Sequence, residues 1–187
     1  YIMALTKTPV CDFGKKAEDF KLKSIDNKII TLDNVRGEKA TLIMFICNHC
    51  PYVKAIIKDL AKDCIELKKD GINSVAIMSN DTKNYPEDSF KNMIKFADNN
   101  NFREINYLFD ETQEIAKKYG AVCTPDFFGY NKDLKLQYRG RFRELKNLKP
   151  TNNGDSDLKV AMKMVALTQT GPDQQIPSMG CNIKWFN

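Results

Sequence analysis

Cys47 and Cys50, with the chain's single histidine, His49, between them, are the residues whose types and spacing best suit chemistry. A Cys-x-x-Cys pair can close into a disulfide and open again, and the thiolate is the nucleophile in that exchange. The pair follows the apolar run Thr41 to Ile46 and precedes Pro51 and a segment of helical period, so it sits at a strand-to-helix hinge. Unpaired N–H groups and the positive dipole end at a helix start favour a thiolate there. A reversible dithiol centre is therefore expected. Cys47, nearest the helix N-terminus, would be the more exposed, attacking thiol, and Cys50, a turn further in, would resolve the mixed disulfide and release reduced substrate. As an imidazolium, His49 would stabilise the thiolate and make the disulfide more oxidising; as a solvent-exposed side chain it would do little.

The elements that must hold this centre are legible in the pattern. Phe20 to Ile25 alternates, Asp26 to Lys28 turns, and Ile29 to Leu32 returns, an N-terminal β-hairpin. A continuous apolar stretch from about Ala40 to Ile46 suits a strand covered on both faces. Val53, Ile56, Ile57, Leu60, Ala61, Cys64 and Leu67 fall on one face of a helix that Gly71 ends. Asn73 to Met78 is a second buried strand, and Pro86 opens a helix carrying Phe90, Met93, Ile94 and Ala97. Ile105 to Phe109 is a strand, Asp110 caps a helix ending at Gly120, and Asp126 to Tyr130 with Leu134 to Gly140 form a second hairpin. A last helix runs from about Asp155 to Leu167, and Gly171 to Asn187 is a tail of little periodicity. Strands alternating with helices imply parallel pairing, and the closing hairpin makes the sheet mixed. The expected fold is one α/β domain over residues 1–187, with a mixed central sheet flanked by helices.

Composition excludes several classes. Net charge is +5, with 24 acidic residues mixed among 29 basic ones, and no basic run alternates with aromatics, so a nucleic-acid partner is not expected. No stretch approaches the ~18 apolar residues a membrane span needs. The start, Tyr1 to Ala4, has neither a basic nor an apolar signal region, and Met3 reads as the native start. A reducing cytoplasm is the expected compartment, where a dithiol is more often catalytic than structural. Six cysteines are too few for a disulfide scaffold in a chain this long.

The strand–Cys-x-x-Cys–helix unit and Thr124-Pro125 before a strand resemble the thioredoxin fold. Asp19 to Leu32, Leu108 to Thr112 and Lys118 to Ala121 resemble its peroxiredoxin and cytochrome-maturation branches. More narrowly, Phe45 to Lys54, Val122 to Asp126 and Pro177 to Trp185 resemble the peroxiredoxin-like family (alkyl hydroperoxide reductase/thiol-specific antioxidant-like) that carries a Cys-x-x-Cys, over nearly the whole chain. The resemblance implies a thioredoxin-like fold and a cis bond before Pro125. It also implies that Thr124 and Pro125 shape a substrate groove beside the dithiol. The implied activity is thiol–disulfide oxidoreduction with an antioxidant role and no cofactor. Its partners would be disulfide-containing proteins or small-molecule thiols, with a separate electron donor. His49 stands where the periplasmic disulfide-forming oxidant has the His of its Cys-Pro-His-Cys centre.

Two alternatives stay open. In peroxiredoxins the peroxidatic Cys precedes Pro, as Cys50 does here, but Cys47 occupies the position of the hydroxyl residue three before it. A peroxide reductase would use Cys50 or Cys47, with Arg139 or Arg141 as candidate arginines. Alternatively Cys47, Cys50, His49 and Cys123 are ligand types for zinc or an iron–sulfur cluster in a metal-binding or thiol-sensing module. Structural zinc sites usually recruit a second paired motif, which the chain lacks, so no metal is expected. Cys123, beside Pro125, is either an accessory thiol or a buried small hydrophobe. Cys181 is either inert, or folds back to a partner such as Cys123. Cys64 belongs to a helix's apolar face, and Cys11 has no assigned place.

Overall fold

The structure, a computed structural model, describes residues 4–187; Tyr1 to Met3, including the expected native start, lie outside the described residues. Its centre is β4 (Ala40–Phe45), buried at every position. It pairs in parallel with β5 (Ile72–Met78) and antiparallel with β8 (Asp126–Asn131). The seven-stranded mixed sheet runs β3 (Ile29–Thr31), β2 (Lys21–Ser24), β6 (Asn106–Phe109), β5, β4, β8, β9 (Leu136–Tyr138). Both expected hairpins, β2–β3 and β8–β9, are present.

The two-residue period of β4 sends alternate side chains to opposite faces. Leu42 and Met44 meet α3 (Ile57–Lys69), α4 (Phe90–Asn99) and α6 (Asp157–Thr168) through Leu60, Met93 and Met162. Ile43 and Phe45 meet α1 (Leu32–Val35) and α5 (Glu114–Tyr119) through Val35 and Tyr119. Two apolar layers thus hold the strand rigidly behind its exit loop. Among the described residues no helix is long and apolar enough to cross a membrane.

Several expectations are refined by local hydrogen bonding. The helix after Pro51 is two pieces, α2 (Pro51–Lys54) and α3, because the Ile56 N–H turns to the Val53 carbonyl at 3.1 Å, three residues back, and tightens the turn. Pro86 opens a separate 3-10 turn (Pro86–Asp88), and α4 starts after Ser89, whose hydroxyl accepts from Asn92 N. Asp110 caps α5 from a distance, accepting Ile115 N at 3.3 Å and Ala116 N at 2.9 Å. Gly120 ends that helix in the left-handed region at φ 67°.

The larger difference is at the chain's ends. The aperiodic tail contributes β12 (Met179–Asn182), which pairs with β1 (Leu5–Lys7) on one side and β7 (Cys123–Thr124) on the other. A small hairpin, β10 (Leu145–Lys146) with β11 (Lys149–Pro150), completes the strands. The buried Gln113 clamps the tail further: its Nε2 donates to the Ser79 and Lys184 carbonyls, both at 2.8 Å, and its Oε1 accepts Phe186 N at 2.9 Å.

Close approach of β12 to β7 requires glycine at 180. A Cβ there would lie 2.0 Å from the Thr124 carbonyl oxygen, a backbone atom that cannot swing aside. Gly180→Ala is expected to destabilise the fold by about 1–3 kcal/mol, the usual cost of overpacking, and to lower the midpoint of thermal unfolding. An unchanged midpoint would mean that β12 can leave β7 without cost.

Candidate active site

The loop from β4 to α2 carries the dithiol, and its geometry follows from where the helix begins. Pro51 occupies the first helical position, so Cys50 is the N-cap, with φ −66° and ψ 124°. Cys47 lies a turn earlier, at the end of the buried strand. The loop is fixed from one side by Asp88, fully buried in the 3-10 turn. Its carboxylate accepts Asn48 N at 2.8 Å and Asn80 Nδ2 at 2.9 Å, and lies 2.6 Å from His49 Nδ1. Asn48 is held as well: Tyr107 Oη donates to its Oδ1 at 2.7 Å, and its Nδ2 donates to Glu87 O at 3.1 Å. The His49 ring stacks on Tyr85 with centroids 5.9 Å apart. Asn80 also accepts Lys184 N at 2.9 Å, so one polar network joins the dithiol loop to the segment after β12.

Asp88, Asn80 and Tyr107 are site residues that the sequence did not single out. No local signal marks them, since Asp88 reaches Asn48 across 40 residues from an irregular turn.

From the other side the sulfurs face Thr124. Cys47 Sγ lies 3.4 Å from Thr124 Oγ1, and Cys50 Sγ lies 3.2 Å from the Thr124 carbonyl oxygen. Cys181, carried in by β12, brings its Sγ to 2.9 Å from Cys50 Sγ. The expected exposure of Cys47 is not what the structure has: Cys47 is 1% and Cys50 0% exposed. Both lie inside the packed layer beneath Thr124, because the strand stays covered to its last residue.

The electrostatics also differ between the two. Burial pushes the Cys47 thiol well above the ordinary range, and its hydrogen bond to Cys50 and the charge of Asp88 push the same way. Cys50 is drawn well below it, by donation from the Cys181 and Cys47 thiols and from the Val53 and Cys181 backbone amides, which together outweigh burial. Cys181 is correspondingly raised, first by its bond to Cys50 and then by burial. Of the three sulfurs the central one, Cys50, ionises first. Protonated, it donates to Thr124 O; ionised, it accepts from both neighbours.

The Thr124-Pro125 bond is cis, and Ser178 Oγ donates to the Pro125 carbonyl at 2.7 Å. Cys123 donates to Pro125 O at 3.5 Å, and burial raises its pKa. Cys64 is a core thiol pushed up to about 12 by burial, as its place on the helix's apolar face implies. Cys11, half buried near Arg139, is pushed up to about 11 by burial. Arg139 is taken up by Asp126, at 2.9 Å, and Arg141 by Asp157, at 2.6 Å.

A cavity of about 460 Å³ opens beside the cis-proline, walled by Pro125, Tyr52, Ile56, Phe142 and Pro177, with Arg141 at its edge. Cys47, His49 and Asp88 also offer a sulfur, a ring nitrogen and a carboxylate oxygen within 4.8 Å of one another, donors that suit a zinc ion. Of the four expected ligands, neither Cys50 nor Cys123 is in that cluster, and Asp88 is not among the four.

Comparison with known proteins supplies the context. The AhpC/TSA family model matches residues 13–139. An uncharacterized conserved protein from Geobacillus kaustophilus is 38% identical with a TM-score of 0.91, covering 100% of this chain and 98% of its own. A hypothetical protein from Sinorhizobium meliloti 1021 is 35% identical with a TM-score of 0.88, covering 97% of this chain and 98% of its own. The thioredoxin domain of a Bacteroides vulgatus thiol-disulfide oxidoreductase shares the fold, with a TM-score of 0.57 at 15% identity over 72% of this chain and 89% of its own. No curated protein matches the chain.

Proposed function

The chain belongs to the AhpC/TSA family, and on that premise we propose that it is a thiol–disulfide oxidoreductase whose redox pair is Cys47 and Cys50. Membership supports a thioredoxin-like redox function. The observation that carries the finer reading is the Cys50 sulfur at a helix N-cap, hydrogen-bonded by neighbouring thiols that favour its thiolate. Cys50 attacks one sulfur of a substrate disulfide, and the other leaves as a thiolate. Cys47 then attacks Cys50 Sγ, forming the Cys47–Cys50 disulfide and releasing the second substrate thiol. Two electrons pass to the substrate, and an external dithiol restores the enzyme. Thr124 and Pro125 form the wall against which the substrate disulfide lies, and the adjoining cavity receives its apolar flank. This assigns the attack to Cys50 rather than Cys47, because Cys50 holds the helix start and neither thiol is the more exposed.

Thiol trapping with peptide mapping across graded glutathione buffers tests the proposal. Cys47–Cys50 should form and break as one two-electron step. Thiols that stay reduced throughout, or are protected only by stoichiometric metal, would replace it with the metal-binding alternative.

His49 contributes a pH dependence. Its hydrogen bond to Asp88 raises its pKa, against burial, so the imidazolium persists above the ordinary histidine range beside the thiolate. A raised folded pKa means stability that is complete below about pH 6.5, the unfolded value, and lost as pH rises through the folded pKa. Asp88→Asn should lower the His49 pKa in an NMR titration and flatten that loss. An unmoved titration would remove Asp88 as its cause.

Slow peroxide reduction at Cys50 is the second reading, supported by the Cys50-Pro51 step and the favoured thiolate. Cys47 replaces the hydroxyl residue and Arg139 is held by Asp126, so turnover with hydrogen peroxide and a dithiol should fall far below disulfide turnover. Peroxide turnover exceeding disulfide turnover would reverse the order of the two readings.

A further inference from the structure

We propose that Cys181 is a third redox thiol, which exchanges disulfide with the Cys47–Cys50 pair at the shared Cys50 sulfur. The proposal rests on the dithiol reading above and extends it. Three independent features of the fold bring this sulfur in. The β12 register sets Cys181 opposite Thr124 on one side and Leu5 on the other. Gly180 lets β12 lie flush against the Thr124 carbonyl. Lys184 is tied to Asn80 and Gln113, so the strand is anchored beyond Cys181 as well. The outcome is an Sγ–Sγ distance of 2.9 Å across 131 residues of sequence. A disulfide bond is roughly 2.05 Å long, so the two sulfurs already stand in contact, about 1 Å from bonding distance.

Cys50 is therefore flanked by two thiols, and either can displace a group bound to it. In the oxidised protein the Cys181 thiolate attacks Cys50 Sγ. The Cys50–Cys181 bond forms, the Cys47–Cys50 bond breaks, and Cys47 leaves as a thiolate that takes up the proton Cys181 has lost. No electron enters or leaves, so the step needs no further oxidant. The same attack on a Cys50–substrate mixed disulfide releases the substrate thiol without Cys47. One redox state of the protein then fastens the C-terminal strand covalently to the start of α2 and leaves Cys47 reduced.

The test is disulfide mapping by mass spectrometry after acid quench, in full-length wild type and in Cys47→Ser, both equilibrated with oxidised and reduced glutathione. In wild type, part of the oxidised protein should carry a Cys50–Cys181 peptide with Cys47 alkylated. In Cys47→Ser, Cys50–Cys181 should be the main oxidised species, and adding Cys181→Ser should leave Cys50 as a glutathione mixed disulfide. If wild type forms Cys47–Cys50 but Cys181 is alkylated at every ratio, and Cys47→Ser accumulates the glutathione adduct, the Cys181 proposal is overturned while the dithiol reading stands. If Cys50 enters no disulfide at all, both fall. The wild-type map decides the matter should Cys47→Ser not fold.

Discussion

Cys50→Ser is expected to reduce disulfide turnover to background, a loss on the order of a thousandfold or more. The loss is chemical rather than structural. Serine is among the best N-cap residues, and Cys50 itself makes no side-chain cap bond that would be lost, so the variant should keep its thermal midpoint. What disappears is the one sulfur in contact with both other thiols. Cys47→Ser should behave differently: the attacking sulfur remains, so a single-turnover burst of one thiol from a chromogenic aryl disulfide should survive, with later turnover slowed to whatever rate Cys181 can sustain. The measurement is the burst amplitude in each variant. One equivalent released at once from Cys47→Ser, with a second following only as Cys181 resolves the adduct, and none from Cys50→Ser bears out Cys50 as the attacking group. The opposite pattern would return the attack to Cys47 and make the favoured Cys50 thiolate the resolving partner.

How far the sequence could be read depended on the span of each interaction. The uninterrupted run from Thr41 to Ile46 marks β4 because burial on both faces needs no partner's identity. Gly120 marks a helix end through the left-handed conformation it allows locally, whereas the helix start read at Pro86 lies three residues on, at Ser89. Pro51 carried a local signal as well: proline at the first helical position makes Cys50 the N-cap, and that was enough to question Cys47 as the thiol nearest the helix. The β1–β12–β7 sheet was out of reach. Its strands are two to four residues long, and their pairing joins opposite ends of the chain, so no period reports it. Cys181 could be named as an accessory thiol, but its partner follows from the β12 register, which only the folded chain sets. Asp88 was invisible for the same reason. The site is thus half local motif and half long-range assembly, and the long-range half governs the thiol electrostatics.

Arg139→Met is expected to destabilise the fold by about 3–5 kcal/mol near neutral pH, the cost of leaving one partner of a buried ion pair alone. Asp126 follows the cis-proline and lies opposite Phe45 in the β4–β8 ladder, fully buried. Its carboxylate takes Arg139 Nη2 at 2.9 Å and Nε at 3.3 Å, and accepts Val122 N at 3.1 Å. Arg139 donates also to Gly120 O at 2.9 Å and lies 4.4 Å from the centroid of the Phe128 ring. The pair therefore fixes both ends of the segment that presents Cys123, Thr124 and Pro125 to the dithiol. Burial already raises the Asp126 pKa, with Arg139 the main force opposing it. Without the guanidinium that pKa rises further. An acid whose folded pKa exceeds its unfolded one binds its proton more tightly when folded, so the deficit of Arg139→Met should shrink as pH falls and the carboxyl neutralises. Asp126→Asn/Arg139→Met should recover much of the loss at neutral pH, since the amide oxygen still accepts Val122 N and no charge is stranded. Denaturant unfolding of wild type, both single variants and the double variant at neutral and mildly acidic pH gives the coupling directly. Additive single losses with no pH trend would mean that the two charges are not coupled in the folded state, and that the loop beside the thiols is held by other contacts.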